Sequence, residues 1–124
     1  MSAIRDGRYP IMLDKERHLL YDLNAIDMIQ ERFGDLTKIG EAMTGKDGFK
    51  NLRFLLTVLL NEGESDPEAN ELTEREVGKL IHVGNLNAVK DAIFAAISVG
   101  NTGNAVPVEA DEDDAKNAET GKAK

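Results

Sequence analysis

The chain is 124 residues long, has a formal net charge of −8 and contains no cysteine. This length suits one domain; the absence of cysteine excludes disulfides and thiolate sites, and the acidic balance argues against binding a nucleic-acid backbone, which needs clustered Lys and Arg. No apolar run reaches the roughly 20 residues that span a bilayer and residues 1–10 lack the apolar core of a secretory signal, so we expect a soluble, intracellular protein that binds neither nucleic acid nor membrane.

The first predicted element is a β-hairpin. Apolar side chains alternate on both sides of a polar turn, Asp14-Lys15-Glu16, at Tyr9, Ile11 and Leu13 and then at Leu19, Tyr21 and Leu23. This period of two is typical of paired strands. Pro10 cannot donate a hydrogen bond to a ladder and therefore suits an edge strand.

Helical spacing replaces the alternation after the hairpin. Asn24 is a candidate N-cap for a first helix, and Gly34 is a candidate C-terminal stop. Asp35 can cap a second, shorter helix. The apolar positions of these two helices are Ile26, Ile29 and Phe33 and then Leu36, Ile39 and Met43.

The second half of the chain predicts further helices. Residues 49–63 form the most apolar segment and are long enough for three to four helical turns. After a polar loop, Thr73 and Glu76 have the spacing of a capping box ahead of VGKLIHV. Gly84 and Asn85 then provide a stop and a new N-cap for a final helix. The apolar stripe of that helix consists of Leu86, Val89, Ile93 and Ile97.

Composition changes after Gly100. Residues 101–124 carry few large apolar side chains, too few to offset the entropy of ordering, so we predict an acidic, disordered tail. The domain is then residues 1–100. We predict an α+β, mainly helical fold in which an N-terminal β-hairpin precedes four to five short helices.

Residues 40–47, GEAMTGKD, have the glycine and lysine spacing of a phosphate-binding loop. Such a loop has Ser or Thr after the lysine to help hold magnesium, whereas this chain has Asp47. It also follows a buried strand, whereas the residues before Gly45 have helical spacing. We therefore expect a helix–loop–helix connection at this point, and no cofactor.

Other chemical groups are sparse. His18 and His82 are the two histidines, and neither has a second nitrogen or sulfur ligand nearby in the sequence. Ser65 lies in a polar loop without a sequence signal for a nucleophile–histidine pair. The acidic run 111–114 lacks the glycine and the spaced ligands of a calcium loop. We predict no catalytic, cofactor or metal site, and no enzymatic activity.

The apolar segment has two apolar faces. One is a broad arc typical of a core helix, made of Phe49, Leu52, Leu55, Leu56, Leu59 and Leu60. Phe54 and Val58 lie outside this arc and, being four residues apart, are neighbours on a second face. Either the domain itself covers that face or it contacts another subunit or a partner, as exposed apolar patches do. We predict Phe54 and Val58 as protein-interface residues.

Residues 9–99 resemble the tail assembly chaperones of long-tailed phages and phage-like gene transfer agents. YPIMLDKERHLLYDLNAIDMIQERFG is similar to the family's opening, in which an extended pair leads into an L-x-A-I-x-x-I helix that ends in Phe-Gly. NLRFLLTVLLNEG and LTEREVGKLI are similar to its apolar helix and capped helix. These motifs are patterns of apolar positions and caps, not a chemical signature.

The resemblance implies a non-enzymatic protein that binds the aggregation-prone tape measure protein, and in some members tail tube subunits, during tail assembly. It implies self-association into a homo-oligomer, residence in the host cytoplasm and absence from the mature virion. Two other functions stay open on the sequence: a structural phage protein, such as a head–tail connector or completion subunit, and an acidic regulator of a host protein.

Overall fold

The computed structural model describes residues 7–102 and has the predicted α+β, mainly helical architecture. A two-stranded antiparallel sheet precedes the helices. The elements in chain order are β1 (Tyr9–Met12), β2 (Glu16–Leu19), α1 (Leu23–Phe33), a 3₁₀ turn (Leu36–Lys38), α2 (Ile39–Thr44), α3 (Gly48–Gly63), α4 (Glu74–Gly78) and α5 (Leu86–Thr102).

The hairpin is confirmed, with Tyr9 opposite Leu19 and Met12 opposite Glu16. Leu19 is fully buried, and the next residue ties the hairpin to the helical layer, since the Leu20 N–H donates to the Leu59 carbonyl of α3 at 3.1 Å. The alternation does not extend as far as expected. Leu23 is the first residue of α1 and its side chain is 78% exposed.

Asp22 sets the start of α1, so the predicted N-cap at Asn24 is wrong. The Asp22 carboxylate accepts a hydrogen bond from the Ala25 N–H at 2.9 Å, which satisfies one of the helix's free amide groups. Asn24 lies within the first turn and donates to Glu62 instead. The predicted stop is confirmed, because Gly34 has φ +80° and its N–H closes the helix on the Gln30 carbonyl at 2.7 Å.

The central element is α3, which contacts β2, α1, α2, α4 and α5. Its buried side chains include the predicted leucines, listed here with their buried neighbours: Leu52, Leu55, Leu56, Thr57, Val58, Leu59 and Leu60. Phe49 was expected in this arc, but it is 75% exposed. Phe49 lies on the same side of the helical wheel as the buried leucines, but it is in the first turn of α3. There Gly48, not Phe49, meets the Met43 backbone of α2.

The region between α2 and α3 is the predicted helix–loop–helix connection. A phosphate-binding loop would need a strand before Gly40 and an open loop after it, whereas Leu36–Lys38 form a 3₁₀ turn and Ile39–Thr44 are helical. The Asn51 side chain donates to the Ala42 carbonyl at 2.8 Å and joins the two helices. Asp35 caps the preceding 3₁₀ turn by accepting from the Thr37 N–H at 3.0 Å, as predicted.

Both bonds of the predicted capping box are present at α4: the Glu76 N–H donates to Thr73 Oγ1 at 3.1 Å and the Thr73 N–H donates to Glu76 Oε1 at 2.8 Å. The helix ends at Gly78, earlier than VGKLIHV suggested. Asn85 precedes α5, but its side chain turns back to the loop, accepting from the His82 N–H at 2.8 Å and donating to the Leu80 carbonyl at 2.9 Å.

The last helix crosses the hairpin and contacts both strands. Val89 and Ile93 are fully buried, and Val99 is 2% exposed. The helix continues to Thr102, two residues past the predicted domain boundary at Gly100. The predicted disorder of the acidic tail otherwise falls on residues outside 7–102.

Candidate protein-interaction site

Phe54 lies at the contact between α1 and α3. Its ring meets the Phe33 ring edge-to-face, with centroids 5.9 Å apart and an interplanar angle of 77°. The Arg32 guanidinium carbon lies 4.2 Å from the centroid of the same ring, which is the geometry of a cation–π contact. Phe54 is only partly buried, so this aromatic pair is open to solvent on one side.

Val58 does not share that exposure. Its side chain is 6% exposed and belongs to the hydrophobic core, which favours the first of the two alternatives, that the domain itself covers this face. Because α1 packs on the side of α3 that carries Phe54, and Val58 is one helical turn further on, the domain covers most of this face itself. The predicted interface at Phe54 and Val58 stays a prediction, and Phe54 is its accessible member.

Arg53 extends the site from Phe54 towards α4. Its side chain runs over Gly78, where an added Cβ would lie 3.2 Å from Arg53 Cδ. The nearest carboxylate oxygen is Glu74 Oε1, 3.8 Å from Arg53 Nε, which is too far for a hydrogen bond. Arg53 Nε is itself shielded from solvent and has no hydrogen-bond partner, although 41% of the whole side chain is exposed.

A shallow cleft of about 380 Å³ opens at this point between α3 and α4. Its lining is mainly cationic and consists of Arg53, Glu74, Arg75, Gly78 and Lys79. Three positive side chains around one carboxylate give a locally basic surface on a chain whose net charge is −8.

The two groups are neighbours on α3 through the consecutive residues Arg53 and Phe54, whose side chains project from adjacent sides of the helix towards α4 and α1. We call them together the arginine–aromatic surface: Arg32, Phe33, Arg53, Phe54, Arg75 and Lys79. Aromatic and arginine side chains are enriched at the energetic centres of protein interfaces, because both offer a large contact area and directional contacts. Of the residues of this surface, the sequence analysis identified only Phe54. The Arg-Phe ending of α1 was a usable signal for its partners, whereas the approach of α4 to Arg53 depends on tertiary packing.

A second cleft, of about 190 Å³, lies where the hairpin meets the end of α3. It brings His18 and Ser65 to one lining, a proximity that the sequence did not indicate. Within residues 7–102 these two side chains make no hydrogen bond to each other, and His18 Nε2 faces Glu16 Oε2 at 3.7 Å. The geometry therefore offers no activated nucleophile.

Two carboxylates approach each other at the start of α1. Partial burial raises the pKa of Glu62 above its ordinary value, and hydrogen bonding and repulsion from Asp22 raise it further. The Asn24 amide donates to Glu62 Oε1 at 3.4 Å and opposes this increase in pKa. In the described part of the chain, no three His, Asp or Glu side chains are placed to hold a metal ion.

Apolar side chains are also exposed away from the arginine–aromatic surface. The most exposed of them are Met12, Leu23, Phe49 and Val83. They lie on different elements, the hairpin, α1, α3 and the loop before α5. No helix within residues 7–102 has both the length and the apolarity needed to cross a bilayer.

Comparison with known proteins gives no relative: neither a family model, nor a curated protein, nor a solved structure matches the chain.

Proposed function

We propose that the protein is a tail assembly chaperone of a long-tailed phage or gene transfer agent, which binds the tape measure protein and keeps it soluble until tail tube subunits sheathe it. The observation that carries the proposal is the arginine–aromatic surface, where Phe54 stays partly accessible with the Arg32 guanidinium over its ring. The resemblance over residues 9–99 and the hairpin-then-helix fold that it implies support the same function.

The proposed mechanism is helix-in-groove binding. A tape measure protein is a long helix with apolar stripes, which self-associate before the tube encloses them. Phe54 and Phe33 would contact such a stripe, and the surrounding arginines would pair with its acidic flanks. The contacts have to be modest, because tube subunits must later displace the chaperone. The chaperone would act as a homo-oligomer in the host cytoplasm and be absent from the mature virion.

The acidic composition suits this role. A net charge of −8 on 124 residues disfavours non-specific association and would keep a chaperone–client complex dispersed. Exposed Met12, Leu23 and Val83, on separate elements, would add further weak contacts for an extended client or for other subunits.

The test is co-expression with the tape measure protein encoded beside the gene. We expect the wild-type chain to move that protein into the soluble fraction, and Phe54→Asp to abolish the effect. Phe49→Asp is the matched control, because it makes the same change in the same helix at a residue that is 75% exposed and outside the proposed surface.

Circular dichroism of the free variants has to accompany this experiment, because Phe54 also packs on Phe33. Arg32→Glu gives a second probe, since Arg32 is exposed and its replacement removes the guanidinium over the ring and reverses the charge there. Folded Phe54 and Arg32 variants that solubilise the client as well as the wild-type chain would refute the proposed surface. Finding the chain in purified particles by mass spectrometry would instead favour a structural tail or head protein.

A further inference from the structure

The acidic segment of this chain that follows α5 has a complementary surface on the same molecule. Residues 109–114 read EADEDD and carry five carboxylates in six positions. The cleft between α3 and α4 presents Arg53, Arg75 and Lys79 around the single carboxylate of Glu74. From this charge complementarity we propose that residues 109–114 dock intramolecularly on this cleft, which we call the basic cleft.

The state of Arg53 shows that the basic cleft has unused capacity for an anion. Its Nε atom is shielded from water, has no hydrogen-bond partner, and is 3.8 Å from the carboxylate of Glu74. A guanidinium is most stable when its fork of N–H groups meets carboxylate oxygens directly. The exposed part of the Arg53 side chain, 41% of it, is open to an Asp or Glu side chain that enters the cleft beside Arg75.

The point where the described chain ends is compatible with this docking. Near its end, α5 passes against Tyr21 in the link between β2 and α1: an added Cβ at Gly100 would lie 2.5 Å from the Tyr21 carbonyl oxygen. The end of α3 lies close to the same part of the chain, because Gly63 meets the carbonyl of His18 in β2. Arg53 is ten residues back along α3, which is about 15 Å at 1.5 Å per residue.

The linking residues reach further than this ~15 Å stretch of α3 between Gly63 and Arg53. The seven residues 103–109 span up to ~25 Å when extended, at about 3.3–3.6 Å per residue. The region near the end of α5 repels the segment, because Asp22, Glu62 and Glu71 interact there as like charges. Electrostatics therefore disfavours the near end of the domain and favours the basic cleft.

The docked segment would occupy half of the arginine–aromatic surface and compete with any acidic partner for Arg53 and Arg75. Such a contact is autoinhibitory: it lowers the affinity of the free chain for weak partners and is displaced by a partner that also engages Phe54. The docking itself needs no partner, so its test is independent of the proposed chaperone function.

Paramagnetic relaxation enhancement on the full chain tests the docking. Because the protein has no cysteine, Ala115→Cys gives one site for a nitroxide label next to the acidic run. At low salt we expect the amide signals of residues 53 and 74–79 to lose at least about half of their intensity, and to recover in 0.5 M NaCl, where charges are screened beyond a few ångströms.

Two double variants localise the contact. Arg75→Gln with Lys79→Gln should remove the broadening, whereas Lys38→Gln with Lys90→Gln makes the same charge change elsewhere and should leave it. Broadening that is spread evenly, that centres outside the basic cleft, or that survives the Arg75 and Lys79 changes would overturn the proposal. A mixed sample distinguishes docking within one molecule from docking between two molecules. It contains spin-labelled chain without isotope enrichment and isotope-enriched chain without the spin label. Broadening in this sample would mean that the segment of a second copy occupies the basic cleft and would overturn the intramolecular proposal.

Discussion

At the scale of single residues, two carboxylates show how neighbouring groups shift a pKa in opposite directions. Arg17 Nε and the second Arg17 nitrogen, Nη2, donate to the two oxygens of Asp14 at 2.8 and 2.9 Å, and this bidentate pair lowers the pKa of Asp14 from 3.8 to about 2. Glu62 has the opposite environment, in which burial and the neighbouring Asp22 raise its pKa.

The Asp14 pair predicts a titration that is specific to Arg17. In Arg17→Gln the pKa of Asp14 should return from about 2 towards 3.8, because the hydrogen bonds to its charged form are lost. Since the folded pKa is lowered, the stabilisation is present above pH 3.8 and is lost as the pH falls towards 2. Carboxyl carbon NMR measures the pKa of Asp14, and Lys15→Gln is the control that keeps the Asp14–Arg17 pair. An Asp14 pKa unchanged by Arg17→Gln would show that the pair is not formed in solution.

Glu62 predicts a stabilising substitution. A carboxyl whose folded pKa is raised makes the protein less stable as the pH rises from its unfolded value of 4.5 through the folded one. Glu62→Gln removes this cost and can keep the bond from Asn24. We expect a thermal midpoint higher by about 1–3 °C at pH 7, since the site is only partly buried, and no difference below pH 4.5. Glu68→Gln, in the exposed loop, should not reproduce the gain.

At the scale of elements, caps and periodicity were readable because they depend on residues close in sequence. The capping box at Thr73, the Asp35 cap and the glycine stop at Gly34 all follow from contacts within four residues. Asn24 was misplaced because Asp22, two residues earlier, has the same capping chemistry. The local sequence pattern does not show which of two such neighbouring residues caps the helix.

Burial along α3 was harder to predict, for a different reason. Phe49 and Val58 were assigned from their helical angles, and an angle does not show which neighbouring element reaches that level of the helix. Phe49 lies beyond the reach of the core, while Val58 is buried on the side of α3 where α1 packs. The same limit applies to the basic cleft, because Arg53 and Arg75 come together only when α4 folds back on α3.

Close approach at Gly63 gives a prediction for the contact between hairpin and α3. An added Cβ there would lie 2.1 Å from the His18 carbonyl oxygen, so the backbones would have to separate. We expect Gly63→Ala to destabilise the domain by about 2–4 kcal/mol, within the range of overpacking and strain. Gly40→Ala is the matched control: it meets only the Phe94 ring at 3.8 Å and should be neutral or stabilising, as Ala favours helix. Urea denaturation compares the two variants. Equal midpoints would contradict the close packing of the hairpin on α3 at Gly63.

At the scale of the whole molecule, α3 organises one core, and the elements around it depend on each other. The hairpin is anchored at Leu20 and Gly63, and α5 contacts both of its strands and packs at Gly100 against Tyr21. A two-stranded hairpin is marginal alone, so its stability has to come from these helices. The chain should therefore unfold in one cooperative transition, and the end of α5 should matter to the hairpin at the other end of the sequence.

A pair of truncations tests this dependence and locates the boundary of the domain. Stopping after Thr102 keeps all of α5, and at 0.5 M NaCl, where docking of residues 109–114 would be screened, the thermal midpoint should stay within about 2 °C of the full chain. Stopping after Ser98 removes Val99, which is 2% exposed, and Gly100, which packs on Tyr21. Losing a buried valine costs roughly 1.5–3 kcal/mol, so the midpoint should fall by about 6–20 °C. Equal midpoints for the two truncations would mean that α5 ends before Val99, and a large fall on stopping after Thr102 would place part of residues 103–124 in the folded core.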